Sequence, residues 1–144
     1  MTGKPVHRSG KTDTVRSSGS VGRLEGLGAV VTGSSTGIGE TIARTLAAAG
    51  AGVVVCGRDR TRADNVASSI RSVGGRAFSA VADLAGDPTN IREFARAAAA
   101  ELDGQVDILV NNAAFYPVTA TEALPDTDLN AMLAVNVRAP HVLV

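Results

Sequence analysis

Lysine, tryptophan and cysteine are nearly missing from this chain, and each shortage narrows what it can be. Its 144 residues hold a single cysteine, Cys56, no tryptophan, and two lysines, Lys4 and Lys11, both near the start. A lone cysteine closes no intrachain disulfide, which fits a reducing, cytoplasmic setting. The two histidines, His7 and His141, stand far apart, so neither a metal cluster nor a Ser-His-Asp triad has its members and no metal site is expected. No apolar run approaches the roughly 18–20 residues of a membrane span, so no membrane partner is expected. A formal net charge of zero argues against nucleic acid as a partner. With aromatics at 3%, the core must be built from Val, Ala, Leu and Ile, a composition suited to strands covered by Ala-rich helices.

The zero net charge hides an asymmetry. Residues 1–23 carry a net +4 and the remainder a net −4. The first 23 residues are rich in Ser, Gly and Thr and have no periodic apolar face, so they read as a disordered basic leader. A transit peptide would need an amphipathic face that is lacking, and an arm for polyanions has no aromatic or patterned support.

From Leu24 onward, short apolar runs alternate with helical patterns. Strands are predicted over Leu27–Thr32, Gly52–Cys56, Arg76–Val81 and Asp107–Val110. The run Val53-Val54-Val55-Cys56 is apolar without alternation, as a strand buried on both faces should be. Helices are predicted over Ile38–Ala49, over Thr61–Val73, and from Pro88 to Leu102, with a last one from about Asp126 to the end. The β-α-β-α-β-α-β-α order implies right-handed crossovers and an α/β fold with a doubly wound parallel sheet, here a domain over residues 24–144.

Strand one runs into Thr32-Gly33-Ser34-Ser35-Thr36-Gly37-Ile38-Gly39 and then a helix. Gly33 would allow the sharp turn, Gly37 a close backbone approach to a pyrophosphate, and Gly39 close packing of helix on sheet. The helix that follows turns free N–H groups and the positive end of its dipole toward an anion, and the hydroxyls of Ser34, Ser35 and Thr36 can add hydrogen bonds. A Gly-rich loop alone is weak evidence, whereas one between strand and helix at the start of a βαβ unit is strong evidence for a dinucleotide cofactor.

At the end of strand two, where an NAD-preferring site places an acid for the ribose 2′-OH, this chain has Gly57 followed by Arg58 and Asp59. A guanidinium suits a 2′-phosphate, so NADP(H) is favoured. Arg58 could instead be a solvated loop residue. Asp59 could cap the next helix or serve the ribose of NAD(H), which stays possible. After strand three, Asp83 is open to two readings, a loop acid or a hydrogen-bond partner of the adenine amino group.

The loop TGSSTGIG (32–39), Arg58, the pair Asp83-Leu84, NNAA (111–114) and the stretch Leu133-Ala134-Val135-Asn136-Val137 together resemble the short-chain dehydrogenase/reductase family across residues 24–144. The resemblance implies a Rossmann fold of seven parallel strands, of which this chain would hold four and the following helix. It also implies hydride transfer between a nicotinamide cofactor and a small alcohol or carbonyl substrate, and an oligomeric parent enzyme. By the same resemblance the cofactor contacts are Gly33, Ser35, Thr36, Gly37, Ile38, Gly39, Arg58, Asp83, Leu84 and Asn111, with Asn112-Ala113 as structural support. Asn136 matches the Asn of the family's Asn-Ser-Tyr-Lys tetrad, which holds a water in a proton relay. Ala114 replaces the usual glycine of that motif, tolerable if its backbone is not left-handed. Pro140 would cost roughly 3 kcal/mol in an unkinked helix interior, less if the helix bends near Asn136.

The family's general acid/base is a Tyr with a Lys four residues later, because an unaided phenol titrates near ~10. The sole tyrosine here, Tyr116, has Ala120 at that distance, and no lysine follows Lys11. Tyr116 reads as a residue lining the substrate-side loop. The expectation is a partial oxidoreductase, inactive alone. The alternatives are a non-catalytic dinucleotide-binding module and a pseudo-enzyme.

Overall fold

The continuous apolar run of the second strand meets its explanation in two cores, one on each face of a single sheet. The structure, a computed structural model, describes residues 23–118 and 120–144. Apart from Arg23, the predicted basic leader lies outside the described residues. The elements are β1 (Gly28–Val31), α1 (Gly37–Ala48), β2 (Gly52–Gly57), α2 (Arg60–Ser72), β3 (Arg76–Val81), α3 (Pro88–Glu101), β4 (Ile108–Val110), a 3-10 turn (Thr121–Ala123), α4 (Asp126–Leu133), a π turn (Ala134–Arg138) and α5 (Ala139–Leu143). The strands pair in parallel in the order β3-β2-β1-β4.

Successive strand residues point to opposite faces, so Val53 and Val55 join Ala29, Val31 and Ala77 under α1 and α2. Val54 and Cys56 join Val30 on the other face, beneath Ile91, Phe94 and Ala98 of α3 with Leu102 just past its end, and beside Ala139 of α5. Helix α1 meets the sheet through Ala43 and Ala47, and these small side chains let backbone approach backbone. Helix α2 buries Ala63, Val66, Ala67 and Ile70, whose spacing of three and four puts them on one face. Among the described residues, no buried side-chain nitrogen or oxygen lacks a hydrogen-bond partner.

Most predicted ends shift by one residue, and two differences carry a physical reason. Thr32 lies one residue past β1, its backbone N–H still on the Val110 carbonyl at the end of β4, and the chain turns away at Gly33. The last helix is not one α-helix. At Ala134–Arg138 it widens to a π turn, with the Ala139 N–H reaching back to the Ala134 carbonyl. Pro140 has no N–H for the Asn136 carbonyl, and the widened turn accommodates the proline ring that a regular helix would reject. Among the described residues, the one non-glycine with positive φ is Asp103, so Ala114 sits in ordinary backbone.

Asp87 starts α3, its Oδ1 accepting from the Thr89 N–H at 2.6 Å, with Pro88 in the first turn. Its carboxyl is held below the ordinary value of 3.8, first by the Thr89 backbone N–H, then by the Thr89 hydroxyl and the charges of Arg138 and Arg92. A carboxyl depressed by folding stabilises the fold above the unfolded-state value and loses that contribution as the pH falls through its folded value. Asp87→Ala is therefore expected to lower the melting temperature at pH 7, and the gap from wild type should narrow below about pH 4. Melting curves across pH check it, and a gap independent of pH would contradict the ionic contribution.

Candidate functional site

Loops that leave the carboxyl ends of parallel strands converge where the strand order reverses, here beside β1, with β2 and β3 on one side and β4 on the other. A cleft of about 640 Å³ opens there, within the roughly 300–1,000 Å³ range of small-molecule and cofactor sites. Its walls are Gly33, Ser35 and Thr36 after β1, Cys56 to Asp59 at the end of β2 with Arg62 of α2, Ala82 to Ala85 after β3, Asn112 to Phe115 after β4, and Ala131 and Val135 of the last helical body.

The β1 loop is fixed from both sides. Thr32 Oγ1 donates to the Val110 carbonyl at 3.3 Å and accepts from the N–H groups of Asn112 and Ala113, both at 3.1 Å. Asn112 returns the tie, its Nδ2 donating to the Thr32 carbonyl at 2.9 Å and the Gly33 carbonyl at 3.2 Å. On the β2 side, fully buried Ser34 donates its hydroxyl to the Val31 carbonyl at 2.6 Å and accepts from the Cys56 N–H at 2.9 Å. The Ser34 hydroxyl, expected from sequence to reach a bound phosphate, is thus occupied in holding the loop to the sheet. Ser35 and Thr36 line the cleft, and Thr36 flanks α1 without using its side chain as a cap.

Gly33 turns with φ +64°, and a Cβ there would stand 2.9 Å from Ala113 Cα. A Cβ on Gly39 would collide with the Gly33 carbonyl and lie 2.5 Å from Asn112 Nδ2. Gly39 therefore lets the start of α1 pack closely on the chain leaving β1 and β4. Gly37, Ile38, Gly39 and Asn111 do not line the cleft, and Ile38 and Asn111 are exposed.

At the end of β2, a Cβ on Gly57 would lie 2.8 Å from Ser35 Cβ and strike the Ser35 hydroxyl. An acidic side chain there would require Ser35 to shift. Exposed Arg58 follows and lines the cleft. Asp59 caps α2, accepting from the Arg62 N–H at 3.1 Å, and its other oxygen pairs with Arg62 Nε at 3.4 Å. The capping alternative is the one the geometry displays. Arg62, which the sequence reading passed over, also lines the cleft, and its spacing of four from Arg58 across the first turn of α2 was the available signal.

Asp83 and Leu84 both line the cleft. Asp83 is exposed, with Oδ1 accepting from the Ala85 N–H at 3.0 Å, and Leu84 packs into the second core. Burial pushes the Cys56 thiol up to about 11, so it stays protonated and unreactive at neutral pH.

Asn136 does not line the cleft. Its Oδ1 accepts from the Phe115 N–H and its Nδ2 donates to the Phe115 carbonyl, each at 2.9 Å. The carboxamide is committed to the loop after β4 through both its oxygen and its nitrogen. Tyr116 is 76% exposed and also lies outside the cleft.

The family model for short chain dehydrogenase matches residues 28–144. An uncharacterized oxidoreductase of Methylorubrum extorquens is 39% identical over 116 residues, covering 80% of this chain and 46% of the relative. A metagenomic short-chain oxidoreductase solved in complex with NADP superposes with a TM-score of 0.77 at 39% identity, over 83% of this chain and 54% of that one. A short chain dehydrogenase from Burkholderia cenocepacia, also solved with NADP, gives 0.78 at 42% identity, over 84% of this chain and 49% of that one. The chain thus spans about half the length of the relatives it matches.

Asn112→Ala removes both carbonyl contacts of the β1 loop and is expected to cost about 1–3 kcal/mol. Asn111→Ala should stay within about 0.5 kcal/mol, because its exposed side chain takes no partner among the described residues. Urea denaturation of the two variants separates them, and equal costs would contradict this division of labour.

Proposed function

The chain belongs to the short chain dehydrogenase family, and from that premise we propose that residues 24–144 form a dinucleotide-binding domain that prefers NADP(H) over NAD(H). The observation that carries this reading is the end of β2, where Gly57 lies flush against Ser35 in the place of a ribose-binding acid, and Arg58 and Arg62 flank the opening. Two guanidiniums sharing the cleft with the Ser35 hydroxyl, which takes no partner among the described residues, suit a phosphomonoester on the ribose 2′ position, through paired charge-assisted hydrogen bonds. With Asp59 engaged as the cap of α2, its carboxylate has less to offer the bare ribose of NAD(H).

The N–H groups at the start of α1, with Thr36, Gly37 and Ile38, face the pyrophosphate in this reading, held by the anchored bend at Gly33. Asp83 and Leu84 border the adenine, and Asn111 lies near the second ribose. NADP(H) bound there would supply the hydride donor or acceptor for an alcohol/carbonyl pair. Asn136 is assigned to shaping the loop at Phe115, with its main-chain carbonyl as the place for a relay water. The 144 residues contain no Tyr-x-x-x-Lys pair, so the reading gives them cofactor binding and leaves proton transfer to residues outside them. Leu133 and Val137, half or more exposed on the last helical body, support the oligomeric state expected of the whole enzyme.

Titrating the chain with NADPH and NADH, followed by nicotinamide fluorescence, tests the assignment. NADPH should bind about 10-fold tighter or more, consistent with hydrogen bonds to a charged group. Arg58→Ala should remove most of that preference, and adding Arg62→Ala the rest. Equal affinity for the two cofactors in the wild type would overturn the NADP(H) assignment, and a folded chain that bound neither would overturn the dinucleotide reading.

A further inference from the structure

The π turn sits between two loops that form opposite walls of the cleft, and it sends one side chain to each. Asn136 holds Phe115 after β4. Two residues on, Arg138 Nη2 donates to the Ala85 carbonyl at 2.9 Å and to the Gly86 carbonyl at 2.7 Å, in the loop after β3. That loop is otherwise shaped from within. Asp83 accepts from the Ala85 N–H through its side chain and from the Gly86 N–H through its carbonyl. Leu84 anchors it from below in the core it shares with Val135 and Ala139. Arg138 is the one side chain from another element, among the described residues, that hydrogen-bonds to Ala85 or Gly86.

Helix geometry explains why this residue reaches the loop. An α-helix advances about 100° per residue, so the wide turn at Ala134–Arg138 resets the face that the following residues present. Ala139 then lands fully buried in the second core, while the adjacent Arg138 points along the sheet edge to the loop after β3. A guanidinium carries five donors in a rigid fork and can satisfy two neighbouring carbonyls from one nitrogen. Its charge lies toward carbonyl oxygens, and its grip falls on Ala85, which lines the cleft, and on Gly86, just past the lining residues Asp83 and Leu84.

We infer that Arg138 is a positioning residue, holding the Ala82–Gly86 loop so that the adenosine end of the cleft is set before ligand arrives. This rests on the dinucleotide reading above. The π turn then acts as a brace between the two cofactor walls, with Asn136 fixing one and Arg138 the other. Arg138 touches no ligand in this scheme. Its loss frees the loop and adds an ordering cost to binding, the same for any ligand with an adenosine moiety.

The test uses the full chain with adenosine 5′-monophosphate and adenosine 2′,5′-bisphosphate as probes, measured by calorimetry. Arg138→Gln is expected to weaken both by a common factor of about 3–10, in keeping with the loss of hydrogen bonds to backbone. The ratio between the two probes should stay at its wild-type value, whereas Arg58→Ala should collapse that ratio. The amide resonances of Ala85 and Gly86 should shift in the Arg138→Gln spectrum while the melting temperature stays close to wild type. Arg138→Lys keeps the charge without the two-carbonyl grip and serves if the glutamine variant fails to fold. It should lose about 3-fold on both probes. Wild-type affinity in either folded variant would overturn the inference, as would a loss confined to the bisphosphate, which would make Arg138 a remote charge. A wild-type chain that bound neither probe would overturn the dinucleotide reading along with it.

Discussion

The bend from Thr32 to Ser34 is the constraint on which the rest of this structure depends. Three polar side chains in a nearly apolar sheet tie the ends of three strands together: Thr32 to the chain after β4, Ser34 to β2, and Asn112 back to the bend. A net hydrogen bond contributes only about 0.5–1.5 kcal/mol, but leaving one of these buried groups unpaired would cost about 1–3 kcal/mol. Their value is therefore mostly geometric. They force the chain off the sheet at Gly33 in one direction, and the cleft, the start of α1 and the close approach of Gly39 follow from that direction.

The two-sided core makes the bend possible. Because Val53, Val54, Val55 and Cys56 serve both faces, helices must cover both, and parallel strands with crossover helices bring all the loops to one end. The site lies at that end because the order β3-β2-β1-β4 reverses beside β1. Side chains of few polar atoms build the frame, and the polar residues gather where backbone geometry has to be exact for a ligand of defined shape.

The second dependent structure is the last helical body. Pro140 would be costly in a regular helix, yet the residues ahead of it relax into a π turn. From that turn Asn136 and Arg138 each reach a loop, so a local backbone irregularity becomes the support for two walls of one cleft. π turns are uncommon and often accompany functional sites.

The order of strands and helices, the two-sided burial of β2 and the Gly-rich bend were all legible in the sequence, because periodicity and turn chemistry are local properties. The missing acid at Gly57 and the guanidinium after it were legible too. What sequence could not assign was which member of a cluster faces ligand and which faces the fold. Ser34 and Ser35 are chemically alike neighbours, and only the packing of the loop on β2 buries one hydroxyl and leaves the other in the cleft. Asn136 became a clamp on Phe115 and Arg138 a tie to Ala85 and Gly86 for the same reason. Those partners lie far along the chain, and their nearness exists only once the sheet is closed.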